Sequence, residues 1–293
     1  MNAYLRGADR IRHVTVALVV ASLVLAAANA AARDAGSPAP VVALAAAGTG
    51  HVLLRAETHA LYRSGDEGRT WQRVSLPKAA SDGAIASVAV AARGNQVLYI
   101  AGRNLGVWRS RDGGRSWVAK NVGLPSTAVQ AVTTHADQAD TVYAYVPQKG
   151  IFRSDDAGDH WRLMDAGPRE TIVRFVHSNM PGSMQTGWLF AATAKGVSRS
   201  MDCFCGWRDA GALNVAVTTV AYDPSEPKRV YATTGNGLLL TEDGGEHWSK
   251  LAAPGAATAA LVVGADGTVY AADNQGALSR SSDHGHSWLR VDE

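Results

Sequence analysis

Cysteine, phenylalanine and charge of one sign are all scarce in this 293-residue chain, which holds two cysteines, four phenylalanines and a formal net charge of +2. Cys203 and Cys205 can close at most one disulfide, so no cystine framework holds the fold together. Two sulfurs without a histidine nearby in sequence also make a poor zinc site. Three of the 28 basic residues and one of the 26 acidic ones fall in the first 30 positions, which leaves 25 of each in the rest. A protein that lives on phosphate contacts needs a basic stripe, and a balanced chain supplies no net one, so nucleic acid is not an expected partner. Catalytic signatures are missing too: there is no GxSxG elbow, no HExxH helix and no Walker loop. Nothing in the sequence calls for a cofactor or a metal ion.

Long apolar runs are absent except at the N-terminus. There Arg6, Arg10 and Arg12 precede an apolar stretch from Val14 to Ala28, and Ala28-Asn29-Ala30 and Ala30-Ala31-Ala32 both fit a small-residue cleavage site. A basic start, a short apolar core and a small-residue exit read as a secretory signal peptide over residues 1–32. The alternative is an uncleaved anchor, although the run is shorter than the ~20 residues that span a bilayer comfortably and Asn29 interrupts its end. Membrane contact is expected only through that uncleaved form. Residues 33–40, with Ala35-Gly36-Ser37-Pro38-Ala39-Pro40, read as a linker. The expected location of the body is periplasmic or secreted.

What the chain has in abundance is repetition. Ser64-x-Asp66-x-Gly68-x-x-Trp71 recurs as Ser110, Asp112, Gly114, Trp117 and as Ser154, Asp156, Gly158, Trp161. It returns as Thr241, Asp243, Gly245, Trp248 and as Ser281, Asp283, Gly285, Trp288. A sixth copy, Ser200-x-Asp202-Cys203-Phe204-Cys205-Gly206-Trp207, keeps the length but moves the glycine. The copies start 46, 44, 46, 41 and 40 residues apart, and a period of ~40–50 residues signals propeller blades or solenoid turns. Each copy closes a group of four short runs rich in Val, Ile, Tyr and Trp, separated by Gly, Pro, Asn or Asp. The second group runs Ala86 to Ala91, Val97 to Ala101, Val107 to Ser110 and Trp117 to Lys120; the third runs Val129 to Thr134, Val142 to Val146, Ile151 to Ser154 and Trp161 to Met164. The expected fold is therefore all-β: residues 41–293 form a single six-bladed β-propeller of four-stranded antiparallel blades, unpermuted, after the N-terminal signal segment.

Every residue of the repeated pattern has a folding task. Glycine supplies the positive φ of a tight hairpin turn. The Ser or Thr hydroxyl and the Asp carboxylate bond to backbone groups that the turn leaves unpaired. Trp covers the turn while its indole N–H finds a partner. One aspartate per blade puts these carboxylates around the rim, too far apart to share a substrate, and none has calcium-loop spacing. Arg63, Arg109, Arg153, Arg199 and Arg280, each just before a turn Ser, read as cation–π or turn contacts. In the fourth copy Phe204 takes the glycine position, which strains a left-handed turn. A Cys203–Cys205 bridge would hold that turn, with free thiols as the alternative.

The pattern resembles the Asp-box, or BNR-repeat, propellers, and the resemblance spans residues 41–292. That family includes sialidases, xyloglucan-type glycosidases, sortilin-like receptors and photosystem II assembly-factor propellers. The style of Gly106-Val107-Trp108-Arg109-Ser110-Arg111-Asp112-Gly113-Gly114 is similar to the last group, whose members usually have seven blades against six copies here. A sialidase would need an arginine in a Phe/Tyr-Arg-Ile-Pro motif on its first blade. Val41-Val42-Ala43-Leu44-Ala45-Ala46 carries no charge and no Phe-Arg-Ile-Pro occurs, so a sialic acid carboxylate would lack its bidentate clamp. The resemblance implies a fold and leaves activity open.

Strand alternation puts ligand-accessible loops on the face opposite the boxes. The hairpins there carry His59, Arg103, Asn104, Gln148, Lys149, Lys195, Asn236, Asn274 and Gln275, and the blade-to-blade loops carry Lys78, Asp82, Arg169 and Glu170. Arg103, Lys149 and Lys195 on consecutive blades would form a mildly basic crescent. Arg174, on an inner strand expected over Thr171 to His177, would point into the channel. The candidate ligand-binding residues are thus Arg103, Lys149, Lys195, Arg174, Asn236 and Asn274, with no catalytic residue assigned. A glycosidase-like carboxylate pair would have to come from Asp82, Asp165 and Glu170. The expected function is a non-enzymatic module that binds a protein or glycan partner, like an assembly factor; the alternative is a glycoside hydrolase with a non-standard site.

Overall fold

The computed structural model describes residues 40–47, 51–92, 96–184, 187–255 and 258–291. The signal segment and all of the linker but its last residue lie outside the described residues. In chain order the first blade comprises β1 (Val41–Ala47), β2 (Val52–Glu57), β3 (Ala60–Ser64) and β4 (Gln72–Val74). A single helical turn, α1 (Lys78–Ser81), follows, and then β5 (Ala84–Val90), β6 (Leu98–Arg103), β7 (Gly106–Ser110) and β8 (Val118–Ala119). The third blade is β9 (Ala131–Thr134), β10 (Val142–Val146), β11 (Gly150–Ser154) and β12 (Arg162–Asp165); the fourth is β13 (Arg174–Ser178), β14 (Trp188–Thr193), β15 (Gly196–Met201) and β16 (Arg208–Asp209). The fifth holds β17 (Val217–Tyr222), β18 (Val230–Thr234), β19 (Gly237–Thr241) and β20 (Ser249–Leu251), and the sixth β21 (Thr258–Val263), β22 (Val269–Asp273), β23 (Leu278–Ser281) and β24 (Leu289–Arg290). Each blade is a consecutive four-stranded antiparallel meander, so the protein is a six-bladed β-propeller.

The apolar character of the strands follows from stacking blade on blade. Second strands such as β10 and β18 are buried along their whole length, because both faces of the sheet meet a neighbour. Side-chain alternation then sends successive residues to opposite seams. Leu98 and Ile100 join Leu54 and Leu61 of the first blade, whereas Tyr99 and Ala101 join Val142 and Phe152 of the third. Six such clusters fill the six seams, and the last unites Val41, Leu44 and Leu53 with Tyr270 and Leu278. Outer strands have only two to four residues, and short edge strands discourage pairing with other chains. Among the described residues no strand is exchanged between the first and last blades. Closure rests on that sixth cluster and on Arg280, whose Nη1 lies 2.7 Å from Glu67 Oε2.

In five copies the repeated turn has one geometry. The Ser or Thr hydroxyl accepts the glycine N–H at 2.7–2.9 Å and donates to the Asp carboxylate. That carboxylate in turn accepts the N–H four residues on, such as Thr70, Ser116 or His160. The turn needs two left-handed residues, not the single one expected: Glu67, Gly113, Ala157, Gly244 and His284 precede the glycines with φ of 60–74°.

Tryptophan departs from the sequence reading. Only Trp117 donates its indole N–H within its own turn, to Gly114 O at 3.1 Å. Trp161, Trp248 and Trp288 donate to Lys120, Ala210 and Ala252 carbonyls at the outer edge of the preceding blade, at 2.7–3.0 Å. The arginines reach the other way. Arg109 and Arg199 donate to Ala157 O and Gly244 O in the turn of the following blade. The tryptophans and arginines therefore bind blade to blade as much as they cap turns.

The fourth copy needs a larger correction. Asp202 does not cap a turn: it is fully buried in the seam between the third and fourth blades. Ser200 donates to Met201 O instead of to the carboxylate, and Trp207 donates to Asp165 Oδ1 at 2.7 Å. Phe204 adopts φ 54° and packs against the seam cluster of Tyr143 and Phe175. Cys203 and Cys205 are bonded, with Cα atoms 5.5 Å apart. So short a loop removes little entropy from the unfolded chain, and Cys203→Ser with Cys205→Ser is expected to cost no more than about 2 kcal/mol. Thermal melts of the variant, and of the parent with reductant, check this.

Candidate functional site

Hairpins β2–β3, β6–β7, β10–β11, β14–β15, β18–β19 and β22–β23 share the face opposite the repeated turns, and their tips are exposed. Arg103, Lys149, Lys195, Asn236 and Asn274 all sit there, one per blade from the second to the sixth. Asn104 and Gln148 hold left-handed φ of 60° and 63°, which turns the chain sharply and leaves the neighbouring cations outward. The expected three-cation crescent is reduced. Lys195 Nζ lies 2.8 Å from Glu170 Oε1, and this partner holds the Glu170 carboxyl below the usual carboxylate range. Arg103 and Lys149 take part in no ion pair among the described residues.

The acidic candidates do not form a catalytic pair. Asp165 Oδ1 accepts both the Gly167 N–H at 2.6 Å and the Trp207 indole. Glu170 is matched by Lys195, and Asp82 stands exposed at the C-terminal end of α1. The carboxyls of the five regular turns and those of Asp159 and Glu170 are shifted down, by hydrogen bonds or by a cation: Asp112 falls to about 2 through Ser116 and Ser110, and Asp159 falls through Lys120. A general acid on a glycosidase pattern needs the opposite shift.

Arg174 does reach the axial channel, as the first residue of β13 and not within an inner strand that starts at Thr171. Its strand begins directly after the loop from the third blade, so the guanidinium lies at the channel end opposite the repeated turns. It donates to its neighbour Val173 O at 3.0 Å and across the ring to Val42 O.

Sequence reasoning missed a second constellation. His135, His177 and Asp202 meet in the seam between the third and fourth blades, all buried. Asp202 Oδ2 is 3.9 Å from His135 Nε2 and 3.6 Å from His177 Nε2, and the two rings stack with centroids 3.9 Å apart. The donor set suggests a metal, but the hydrogen bonds oppose it. His135 Nδ1 accepts the N–H groups of Asp137 and Gln138, and His177 Nδ1 accepts that of Ala136. With Nδ1 occupied as acceptor, a neutral ring carries its proton on Nε2, which leaves no lone pair for an ion. Burial and the neighbouring His177 lower the His135 pKa to about 4. The degenerate fourth copy was the signal available in sequence; its partners, 67 and 25 residues upstream of Asp202, were not marked by any pattern. Tyr143 belongs to the same seam. Tyr99 and Tyr231 donate to carbonyls in the next blade's turn, whereas Tyr143, facing the irregular turn, has a buried hydroxyl without a hydrogen-bond partner among the described residues.

These features define a six-bladed propeller scaffold with an accessible loop face and an axial channel. No protein-family model matches the chain, and no curated protein does. Among solved structures it is similar to YCF48 bound to a D1 peptide, at TM-score 0.58 and 19% identity over 87% of this chain and 82% of that one. It is also similar to a chain of a nidogen–laminin complex, at TM-score 0.66 and 11% identity over 81% of this chain and 91% of that one. A GH74 xyloglucanase from Xanthomonas campestris aligns at TM-score 0.60 and 20% identity, over 86% of this chain. The chain spans about half of that enzyme's length, 47%. At these identities the likeness is one of fold.

Proposed function

We propose that this is an exported, non-enzymatic β-propeller that binds a protein partner, or a glycan, at the face opposite its repeated turns, which we read as Asp boxes. The observation that carries this reading is the unequal use of charge. The turn aspartates and Glu170 are taken up by hydrogen bonds and by Lys195, while Arg103 and Lys149 stand exposed on adjacent hairpin tips and take part in no ion pair among the described residues. Exposed polar loop residues free of structural duty are where a scaffold presents function. Such a surface suits a partner with acidic groups, and charge complementarity acts mainly on association rate and specificity. The similarity to a propeller recorded with a bound peptide supports a protein partner in preference to a glycan.

The test is capture from an envelope extract with the full chain, beside the double variant Arg103→Glu, Lys149→Glu. Retention of the captured partner should fall about tenfold or more in the variant, and more at low salt than at high salt. Thermal stability should stay within about 0.5 kcal/mol, as for other surface changes. Equal capture by both proteins would sink the assignment of this face. Turnover of a chromogenic glycoside that disappears with Asp82→Asn or Glu170→Gln would replace it with the hydrolase reading.

A further inference from the structure

A cavity of about 240 Å³ runs along the propeller axis between the six inner strands. Its wall mixes the methyl groups of Ala and Val with the polar groups of Ser87, Thr133, Thr219, His135 and His177, and no Asp or Glu lines it among the described residues. Arg174 contributes a guanidinium to this wall at the end away from the repeated turns. The carbonyl it reaches across the ring belongs to Val42, where β1 is bulged against β2. A bulge takes a residue out of the ladder and leaves its carbonyl available. Two carbonyls fix the direction of the guanidinium but supply no counter-charge. Burial alone lowers the Arg174 pKa, to about 10, with no carboxylate contributing. A cation held in a wall without an anion is costly, and only two of its five N–H donors are occupied by these carbonyls.

The missing partner has a definite chemistry. A guanidinium fork matches the two oxygens of a carboxylate. No second Lys or Arg lines the wall to neutralise a phosphate or sulfate, while the Ala and Val methyl groups between its polar groups give a short hydrocarbon chain a place to lie. At ~30 Å³ per water, the cavity equals the room of about eight waters, enough for a short unbranched chain. We infer that the axial channel is a binding site for a small apolar carboxylate, with the carboxylate on Arg174 and the hydrocarbon body along the Ala- and Val-lined axis.

This site is separate from the hairpin surface of Arg103 and Lys149, and the experiment keeps the two apart. Isothermal titration of the full chain with octanoate should give measurable binding, and octanol, which keeps the chain and lacks the charge, should bind about tenfold or more weakly. Arg174→Gln should weaken octanoate by a similar factor, Arg174→Lys should lose less, and Arg103→Glu with Lys149→Glu should change nothing. Alanyl-alanine against its C-terminal amide tests a chain terminus as the source of the carboxylate. A free dipeptide that binds better than octanoate upholds the site and assigns it to a terminus. Octanoate binding no tighter than octanol overturns the inference even if Arg174→Gln fails to fold, and unchanged binding by a folded Arg174→Gln overturns it as well.

Discussion

Replacing Trp161 with alanine is expected to lower stability by about 3–5 kcal/mol, the range for loss of a large buried aromatic side chain. Trp161 is 5% exposed and packs with Tyr99, Val142 and Phe152 across the seam between the second and third blades. Its removal leaves a cavity between two sheets whose strands are held at fixed spacing by their ladders, so the walls cannot collapse freely. It also strands the Lys120 carbonyl that the indole N–H satisfies. Trp161→Phe should recover most of the packing and lose the hydrogen bond, leaving a deficit of about 1 kcal/mol for that bond plus any packing mismatch. Lys149→Ala, on an exposed hairpin tip, should stay within about 0.5 kcal/mol. Denaturant unfolding of the three variants checks the set; equal small effects for Trp161→Ala and Lys149→Ala would mean the tryptophans do not hold the seams.

Acidification is expected to remove about 3 kcal/mol of stability through His135 alone. Burial keeps its folded pKa at about 4, against 6.5 in the unfolded chain. Below pH 6.5 the unfolded chain takes up a proton that the folded chain refuses. The contribution is therefore complete above that pH and is lost progressively as the pH falls toward about 4. Facing His135 are His177, which opposes its charge, and Asp202, which favours it, with weaker effects from Arg153 and Asp155. His135→Asn keeps an acceptor for the N–H groups of Asp137 and Gln138 but cannot titrate, so its stability should be flatter across this window. The turn carboxylates act lower: hydrogen bonds depress Asp112 to about 2, so its contribution is present above about 3.8 and is lost below it. Urea midpoints of both proteins at about pH 7.5 and about pH 4.5 separate the two effects. A parent and variant with the same slope would remove His135 from the acid response.

Much of the architecture is legible in the sequence. Strand positions in the second and third blades are legible to within about two residues, because Val, Tyr and Ile runs end where Gly, Pro, Asn or Asp turns the chain. The glycine of each repeat was assigned a positive φ on steric grounds and has one. The second left-handed position was not seen, since Glu67, Ala157 and His284 are not residues that advertise it. Nothing in the sequence pairs Lys195, and only the fold brings Glu170 to it from 25 residues away.

The number of blades, their order and the chemistry of the turns were determined by the sequence alone, because a turn is closed by hydrogen bonds spanning two to four residues and the repeat states those residues outright. What joins one blade to the next was decided by tertiary structure. Trp161 meets Lys120, Arg109 meets Ala157 and Arg280 meets Glu67 over separations of 41, 48 and 213 residues, and Asp202 faces His135 and His177 only after the third and fourth blades stack. Such pairings depend on how sheets are rotated about a shared axis, a quantity that no local pattern encodes. The same holds for Arg174, whose lack of a carboxylate becomes a property of the molecule only when six inner strands enclose a channel.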